Sequence, residues 1–410
     1  MYDAIVIGAR CAGAATAMLL ARKGHRVLLV DRATFPSDIP HGHLIHRQGP
    51  QRLARWGLLD RVLQTGCPGL TTITTDMGDF PLVATEVSAD GVPAACGPRR
   101  TALDRVLVEA AVEAGVELRA GFSVGGLPTD GGRVTGIRGG DRRSSTVVTE
   151  RAAITIGADG RNSHVARSVE APIYEEVPTL TCWYFSYWAD APSNGLEIYD
   201  RHGRVIFAFP TNDDLFAVFV AWPASELSMV RADIERQFLA AVDGVPSLAE
   251  RVRAGRRADR FYGATDLRNY LRKPYGPGWA LVGDAGCHKD PYLALGLCDA
   301  FRDAELLADA IDDASSGRIA VEDALADYER RRNAATLPDY RLNLERARFT
   351  PLPSEQRQLR AVLRGNAEAT RQLFLTIEGF APREQFFNPE NMGRLFAAAA
   401  GAPALAPAEP

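Results

Sequence analysis

Apolar positions open the chain in one run, Tyr2–Gly8 (YDAIVIG), which predicts a core strand. A glycine turn, Ala9–Gly13 (ARCAG), leads into a helix of small residues, and His25–Val30 reads as a second strand ending in Asp31–Arg32. The loop 33–50 is rich in Pro, His and Gly, after which a helix is expected over Pro50–Leu63, stopped by Gly66 and Pro68. Residues 70–96 alternate apolar and polar side chains between Gly and Pro breaks, the pattern of short antiparallel strands. Leu103, Val106, Leu107, Ala110 and Val112 fall near helical spacing and predict a helix over Arg100–Ala114, ended by Gly115. Val116–Leu118, Val134–Gly136 and Val147–Thr149 read as a meander leading into Ala152–Gly157.

From about residue 176 the pattern becomes aromatic and β-branched. Thr179–Trp188, Leu196–Tyr199, Arg204–Phe209 and Leu215–Trp222 predict one antiparallel sheet, partly covered by a helix over Ser228–Val242. Strand-like Trp279–Val282 then returns to the style of the first residues, an alanine-rich helix starts near Gly296, and the remainder reads as helices. The Ala/Pro tail 401–410 is expected to be disordered. The chain therefore leaves an α/β domain, builds a sheet, and comes back. The expected units are 1–70, 97–175 and 260–330 for the first, 71–96 and 176–259 for the second, and 331–400 for a C-terminal helical region.

Composition narrows the functions. With 47 basic and 51 acidic residues among 410, the net charge of −4 offers no footprint for nucleic acid or an anionic membrane. Only Lys23, Lys273 and Lys289 are lysines. Cys11, Cys67, Cys96, Cys182, Cys287 and Cys298 lack C-x-x-C spacing, which argues against a zinc site or a disulfide framework. An N-terminus that reads as core strand, and no apolar run of ~18 residues, suggest a reduced, cytoplasmic protein without a membrane span.

The first strand, turn, helix and second strand together form a dinucleotide fingerprint. Gly8 makes the tight turn, Gly13 lets helix and strand approach, and the free N–H groups of the helix N-terminus suit a pyrophosphate. Asp31, at the tip of the second strand, suits ribose hydroxyls. The middle glycine of G-x-G-x-x-G is replaced by Arg10, whose side chain must point away from the phosphates or reach over them. Two more strand-to-loop motifs follow: Ile154–Arg167 (ITIGADGRNSHVAR) and Trp279–Gly296 (WALVGDAGCHKDPYLALG). Either one alone is equally readable as a capping aspartate at a strand end.

In that order the three motifs resemble the FAD-dependent monooxygenases of the p-hydroxybenzoate hydroxylase type, over roughly residues 1–310. The resemblance implies an α/β fold: a Rossmann-like, GR2-type FAD-binding domain with an inserted antiparallel substrate sheet and C-terminal helices. It implies that Gly8, Arg10, Ala12, Gly13, Asp31 and Arg32 hold the ADP half of FAD, with Arg100 also touching the cofactor. Asp159 and Gly160 form the second motif, and Gly283 and Asp284 the third, whose aspartate meets the flavin ribitol. Pro291, Gly296 and Leu297 then match the bend and the helix start that face the flavin ring, where free N–H groups favour its reduced anion. The chain departs from the family at Leu293, Cys298 and Gly286–Cys287–His288, which puts the shape of the flavin-side pocket in question. No second glycine fingerprint exists, so NADPH or NADH is expected to bind transiently.

Some residues invite two readings. His41, His43 and His46 lie close together in a loop with no acidic or Cys partner set, so a metal is not expected; the resemblance places His41, His43 or Arg47 against the flavin. The aromatic strands present Trp183, Phe185 and Tyr187 on one face and Cys182, Tyr184, Ser186 and Trp188 on the other. One face roofs flavin and substrate and the other packs on the covering helix; alternation does not say which. The expected pocket comprises Trp183, Phe185, Tyr187, Phe207, Phe219 and Leu293. Asp303 and Glu305 are expected on a solvated helix face. No catalytic side chain is identified, because the cofactor carries the chemistry. The implied reaction is hydroxylation or epoxidation of an aromatic or polycyclic small molecule by a flavin C4a-hydroperoxide made from O₂, in secondary metabolism, by a monomer or homodimer. Open alternatives are an isoprenoid double-bond reductase of the geranylgeranyl-reductase type, a flavin halogenase, and a non-enzymatic FAD- or lipid-binding protein.

Overall fold

The computed structural model describes residues 1–35, 42–141 and 146–400, with the side chains of 399 and 400 excepted. His41 and the tail 401–410 lie outside the described residues. Strand Tyr2–Ile7 pairs in parallel with Val27–Asp31 on one side and with Val148–Gly157 on the other; Val148–Gly157 in turn pairs with Trp279–Leu281. Both faces of this sheet are covered, which is why its strands read as continuous apolar runs. Ala4, Val6, Val27 and Leu29 face a core shared with the helices Cys11–Arg22, Arg100–Glu113 and Gly296–Ser315. Ile5, Ile7, Leu28 and Val30 face a second core with Phe122, Ile137 and Trp279.

Three expectations about this half are corrected. Glu117–Ala120 is not part of the meander but extends the parallel sheet beside Val27–Asp31. The helix expected over Pro50–Leu63 is two short ones, Gly49–Arg55 and Leu59–Leu63, parted at Gly57, whose φ of +72° breaks the helical path. Asp303 and Glu305 are not on a solvated face. Asp303 is 2% exposed and bonded to Arg302, while Glu305 accepts from Arg52, Arg55 and the Trp56 indole. Helix periodicity locates a stripe, and here the stripe's polar members are satisfied by neighbours that only the tertiary fold supplies.

The second sheet runs in the order Arg256–Arg257, Thr181–Ala189, Phe216–Pro223, Arg204–Pro210, Leu196–Arg201, Ile73–Asp76, Pro81–Ala84. Its outer face carries Cys182, Tyr184, Trp188, Phe216 and Trp222 against the helices Ile234–Asp243 and Pro246–Ala254. The single helix expected over Ser228–Val242 is broken at Asp233, which leaves helical φ/ψ and caps the second piece by accepting the Arg236 N–H. Helix Val321–Arg346 runs without interruption through residue 331, so the expected boundary there falls inside one element. Later helices pack Leu363, Leu373 and Phe386 over Leu82 of the edge strand.

The strand ends meet almost backbone to backbone. A Cβ on Gly13 would lie 1.7 Å from the Gly8 carbonyl oxygen, and one on Gly8 would lie 2.4 Å from the Ala158 oxygen. We expect Gly13→Ala to cost about 2–4 kcal/mol in urea unfolding. Gly126→Ala, where the added methyl meets nothing within 4 Å, should stay within about 0.5 kcal/mol. Equal effects would show that the contact does not constrain the fold.

Candidate functional site

The first, second and third motifs occupy the carboxyl ends of three adjacent parallel strands, Tyr2–Ile7, Val148–Gly157 and Trp279–Leu281. That is where open α/β sheets bind ligands. The third motif packs directly on the first: Gly283 has φ +62°, and a Cβ there would come 2.8 Å from the Ala12 Cβ. The Tyr270 hydroxyl ties the second motif to the third, donating to the Arg161 carbonyl at 2.9 Å or the Asp284 carbonyl at 2.6 Å.

Asp31 is buried, and its two oxygens accept the N–H groups of Ala9 and Ala33 at 2.7 Å each. It therefore shapes the glycine loop, and each oxygen keeps lone-pair capacity for a ribose. Arg32, next in sequence, is exposed. Arg10 resolves its own ambiguity by turning sideways to Asp104 at 2.9 Å. Arg100 grips the same carboxylate, also at 2.9 Å, and the Cys11 thiol donates to it at 3.1 Å. Asp104 is 1% exposed, so two guanidiniums share one buried carboxylate at the start of the glycine helix. Burial works against charge on the Arg100 guanidinium, yet the carboxylates of Asp104 and Asp284 outweigh it and keep the group firmly protonated. Sequence reasoning missed Asp104. Its signal was a carboxylate on the stripe that also carries Leu103 and Leu107.

Asp159 accepts from the Ser163 hydroxyl at 2.5 Å and from the N–H groups of His164 and Val165. Ser163 caps the helix His164–Ser168 by accepting the Ala166 N–H, and Asp159 holds Ser163 and two first-turn N–H groups, so it shapes this loop from within. Asp284, by contrast, stands exposed at the junction. Pro291 starts a short turn, Ala294 adopts φ +51°, and Gly296 opens the 20-residue helix with no side-chain cap. Leu297 and Ala12 both pack, partly buried, against the core that contains Cys11 and Ala14. The helix Cys11–Arg22 likewise lacks a side-chain cap at Arg10. Two uncapped helix starts, glycines at the close approaches, an exposed Asp284 and a buried Asp31 fit the phosphates, ribitol and ribose of FAD.

Facing this junction is the inner side of the second sheet. Trp183, Phe185, Tyr187, Phe207, Phe209 and Phe219 share one cluster with Leu44 and Tyr292, and Leu293 packs against it. The Phe185 and Phe219 rings stack at 4.5 Å, and Phe209 stacks on Phe219 at 5.5 Å. The tertiary fold thus turns the odd-numbered face of Thr181–Ala189 toward the motifs. Phe374 and Leu375, from helix Ala367–Ile377, close the cluster from the C-terminal side and were not foreseen.

His43 lies within the aromatic cluster at 1% exposure, against Tyr187, Phe209 and Phe219. Its Nδ1–H donates to the Gly97 carbonyl at 2.9 Å, which leaves Nε2 to accept the Tyr187 hydroxyl at 3.1 Å. Burial, with Arg100 and Arg99 nearby, lowers its pKa to about 3, so the ring is neutral. His46 contacts the Leu293 carbonyl at 3.0 Å and faces Glu378 at 3.5 Å; Arg47 pairs with Asp339 at 2.9 Å. This loop is therefore tied to the C-terminal helices.

Asp290, just before Pro291, was also missed. It accepts from the Thr181 hydroxyl at 2.6 Å, and that hydroxyl in turn accepts the Trp183 indole N–H at 2.7 Å. This contact joins the third motif to the aromatic sheet. Burial raises the Asp290 pKa from 3.8 to about 6. The folded state then holds the proton more tightly than the unfolded chain. The stabilisation is full below about pH 4 and is lost as pH rises through about 6. Relative to Asp290→Asn, the wild type should lose on the order of 2–3 kcal/mol between those limits, read by urea unfolding at a series of pH values. A difference that is flat or grows with pH would contradict the assignment.

Residues 1–337 match the family described as FAD binding domain. The chain is 26% identical over 363 residues to the digeranylgeranylglycerophospholipid reductase of Methanosarcina acetivorans, covering 84% of this chain and 83% of that protein. It is 25% identical over 311 residues to the 6-methylpretetramide 4-monooxygenase of Streptomyces rimosus, covering 74% and 73%. Among solved structures, the myxobacterial chondrochloren halogenase CndH aligns with a TM-score of 0.77 at 21% identity, over 97% of this chain and 96% of that one.

Proposed function

The chain belongs to the FAD-binding-domain family and is a flavin-dependent oxidoreductase of the aromatic-hydroxylase fold, and from that premise we propose that it is an NAD(P)H-consuming monooxygenase acting on an aromatic or polycyclic small molecule. The observation that carries this reading is the stack of Phe185, Phe219 and Phe209 on the sheet face turned toward the three motifs. Flat rings suit an offset-stacked aromatic guest, and the apolar wall keeps water from the reacting centre. When bound, FAD would supply the chemistry, hydride acceptance from NADH or NADPH and activation of O₂, with one oxygen atom going to the substrate and the other leaving as water.

The chain's own residues bind, orient and exclude water. Gly8, Gly13 and the uncapped helix start at Arg10 would take the pyrophosphate, Asp31 the ribose and Asp284 the ribitol. Arg100, held by Asp104, keeps positive charge beside Asp284. The uncapped start of the helix Gly296–Ser315 would face the flavin ring. The Tyr187–His43 pair is a polar point within the aromatic face where a substrate hydroxyl or carbonyl would register. The six cysteines are free thiols, which suits the cytoplasm. No helix among the described residues is long and apolar enough to cross a membrane.

A second reading, reduction of an isoprenoid double bond, is favoured by the near full-length similarity to the archaeal reductase. A halogenase reading wants a lysine at the substrate pocket. Here Lys23 pairs with Asp309 on the surface, Lys273 is exposed, and Lys289 pairs with Asp299. None belongs to the aromatic cluster.

The purified protein should be yellow and release FAD on denaturation. Charged hydrogen bonds to ribitol hydroxyls contribute on the order of 1.5–3 kcal/mol. Asp284→Ala should therefore weaken FAD binding at least about tenfold by fluorescence titration. An unchanged affinity removes Asp284 from the site. Reaction class is tested by supplying NADH or NADPH with a panel of phenols and measuring oxygen uptake and product. A monooxygenase consumes O₂ in proportion to product. Turnover of substrate that runs equally well under strict anaerobiosis assigns the reductase reading instead.

A further inference from the structure

The loop 283–295 contributes Lys289 to a group of buried charges that the cofactor contacts of the three motifs do not require. The Lys289 side chain is 5% exposed, and its ammonium pairs with Asp299, in the first turn of the helix Gly296–Ser315. Arg302 donates to the other Asp299 oxygen at 2.7 Å, to Asp303 at 2.7 Å and to the Thr336 hydroxyl at 2.7 Å. Arg332, 1% exposed, donates through Nη2 to the Tyr174 hydroxyl at 2.6 Å and the Arg272 carbonyl at 3.0 Å. Its Nη1 lies 3.1 Å from where a Cβ of Gly286 would stand and has no hydrogen-bond partner among the described residues. Lys289 and Arg302 thus share Asp299, Arg302 also holds Asp303, and Arg332 stands beside the Gly-Asp loop bonded to neither carboxylate.

Buried ion pairs of this kind seldom add net stability over an apolar replacement, so their placement calls for another reason. Asp299 supplies it. A carboxylate in the first turn opposes the positive end of the helix dipole. That end is the one whose free N–H groups would stabilise negative charge on a reduced flavin. Lys289 and Arg302 cancel the carboxylate, and in a low-dielectric interior that cancellation is felt well beyond contact distance. We propose that Lys289, acting through Asp299, is a positioning residue that raises the reduction potential of the bound flavin. This rests on the reading that the helix beginning at Gly296 faces the cofactor.

The test is the midpoint potential of the FAD-loaded protein, measured by dye-equilibrated reduction. Lys289→Met should lower the affinity for reduced relative to oxidised FAD about tenfold, which is about 30 mV for a two-electron couple. Asp299→Asn should move the potential upward by a similar factor. The double variant should return close to wild type. Opposite signs distinguish an electrostatic effect from loosened packing, which would move both single variants the same way and overturn the proposal. If Lys289→Met does not fold, the pair Asp299→Asn and Lys289→Met/Asp299→Asn carries the test: upward for the first and back for the second. Unmoved potentials in protein whose FAD affinity still depends on Asp284 overturn this proposal alone. Failure of the wild type to bind FAD overturns the site reading, and this proposal with it.

Discussion

The close approach of four backbone segments at the carboxyl end of the parallel sheet is the constraint on which the rest depends. Gly8, Gly13, Ala158 and Gly283 leave no room for side chains between first strand, first helix, second motif and third motif. Interiors this dense transmit displacement rather than absorb it. One added methyl would push the helix start from the turn it covers, and with it the N–H groups that a pyrophosphate would need. The glycines are thus a packing requirement before they are a binding one.

Around that contact, charge is distributed with a consistent logic. Positive groups at the junction are held by buried carboxylates: Arg10 and Arg100 by Asp104, and Lys289 and Arg302 by Asp299. Each arrangement keeps a cation fixed in orientation near a helix start, at the cost of burying its partner. The aromatic side is the reverse. Its titratable histidine is held neutral, with its tautomer set by the Gly97 carbonyl, and the nearest cation, Arg99, lies over the Tyr187 ring at 4.9 Å. A dinucleotide and a flat apolar guest need these two environments side by side.

The seam between them is polar and specific. Asp290, Thr181 and Trp183 join the third motif to the sheet, while the segment 46–51, a loop running into the helix Gly49–Arg55, bonds to Leu293 on one side and to Glu378 on the other. C-terminal helices therefore act on the site through that loop and through Phe374 and Leu375. Because these contacts link segments hundreds of residues apart, local pattern carries no trace of them.

What the sequence determined by itself is what depends on neighbours along the chain: the strand–glycine–helix start, the three motifs, the aromatic strands and their alternation of faces. Gly8 and Gly13 were legible because only a residue without Cβ fits such turns, and the face of Trp183, Phe185 and Tyr187 because strand period is two. The tertiary structure decided what needs partners from elsewhere. It chose which aromatic face meets the motifs and turned Arg10 toward Asp104. It also buried Asp303 beside Arg302 and set Asp159 to hold Ser163 and two first-turn N–H groups of a short helix. A polar residue's periodicity says where it points; only the assembled fold says whether water or a countercharge is waiting there.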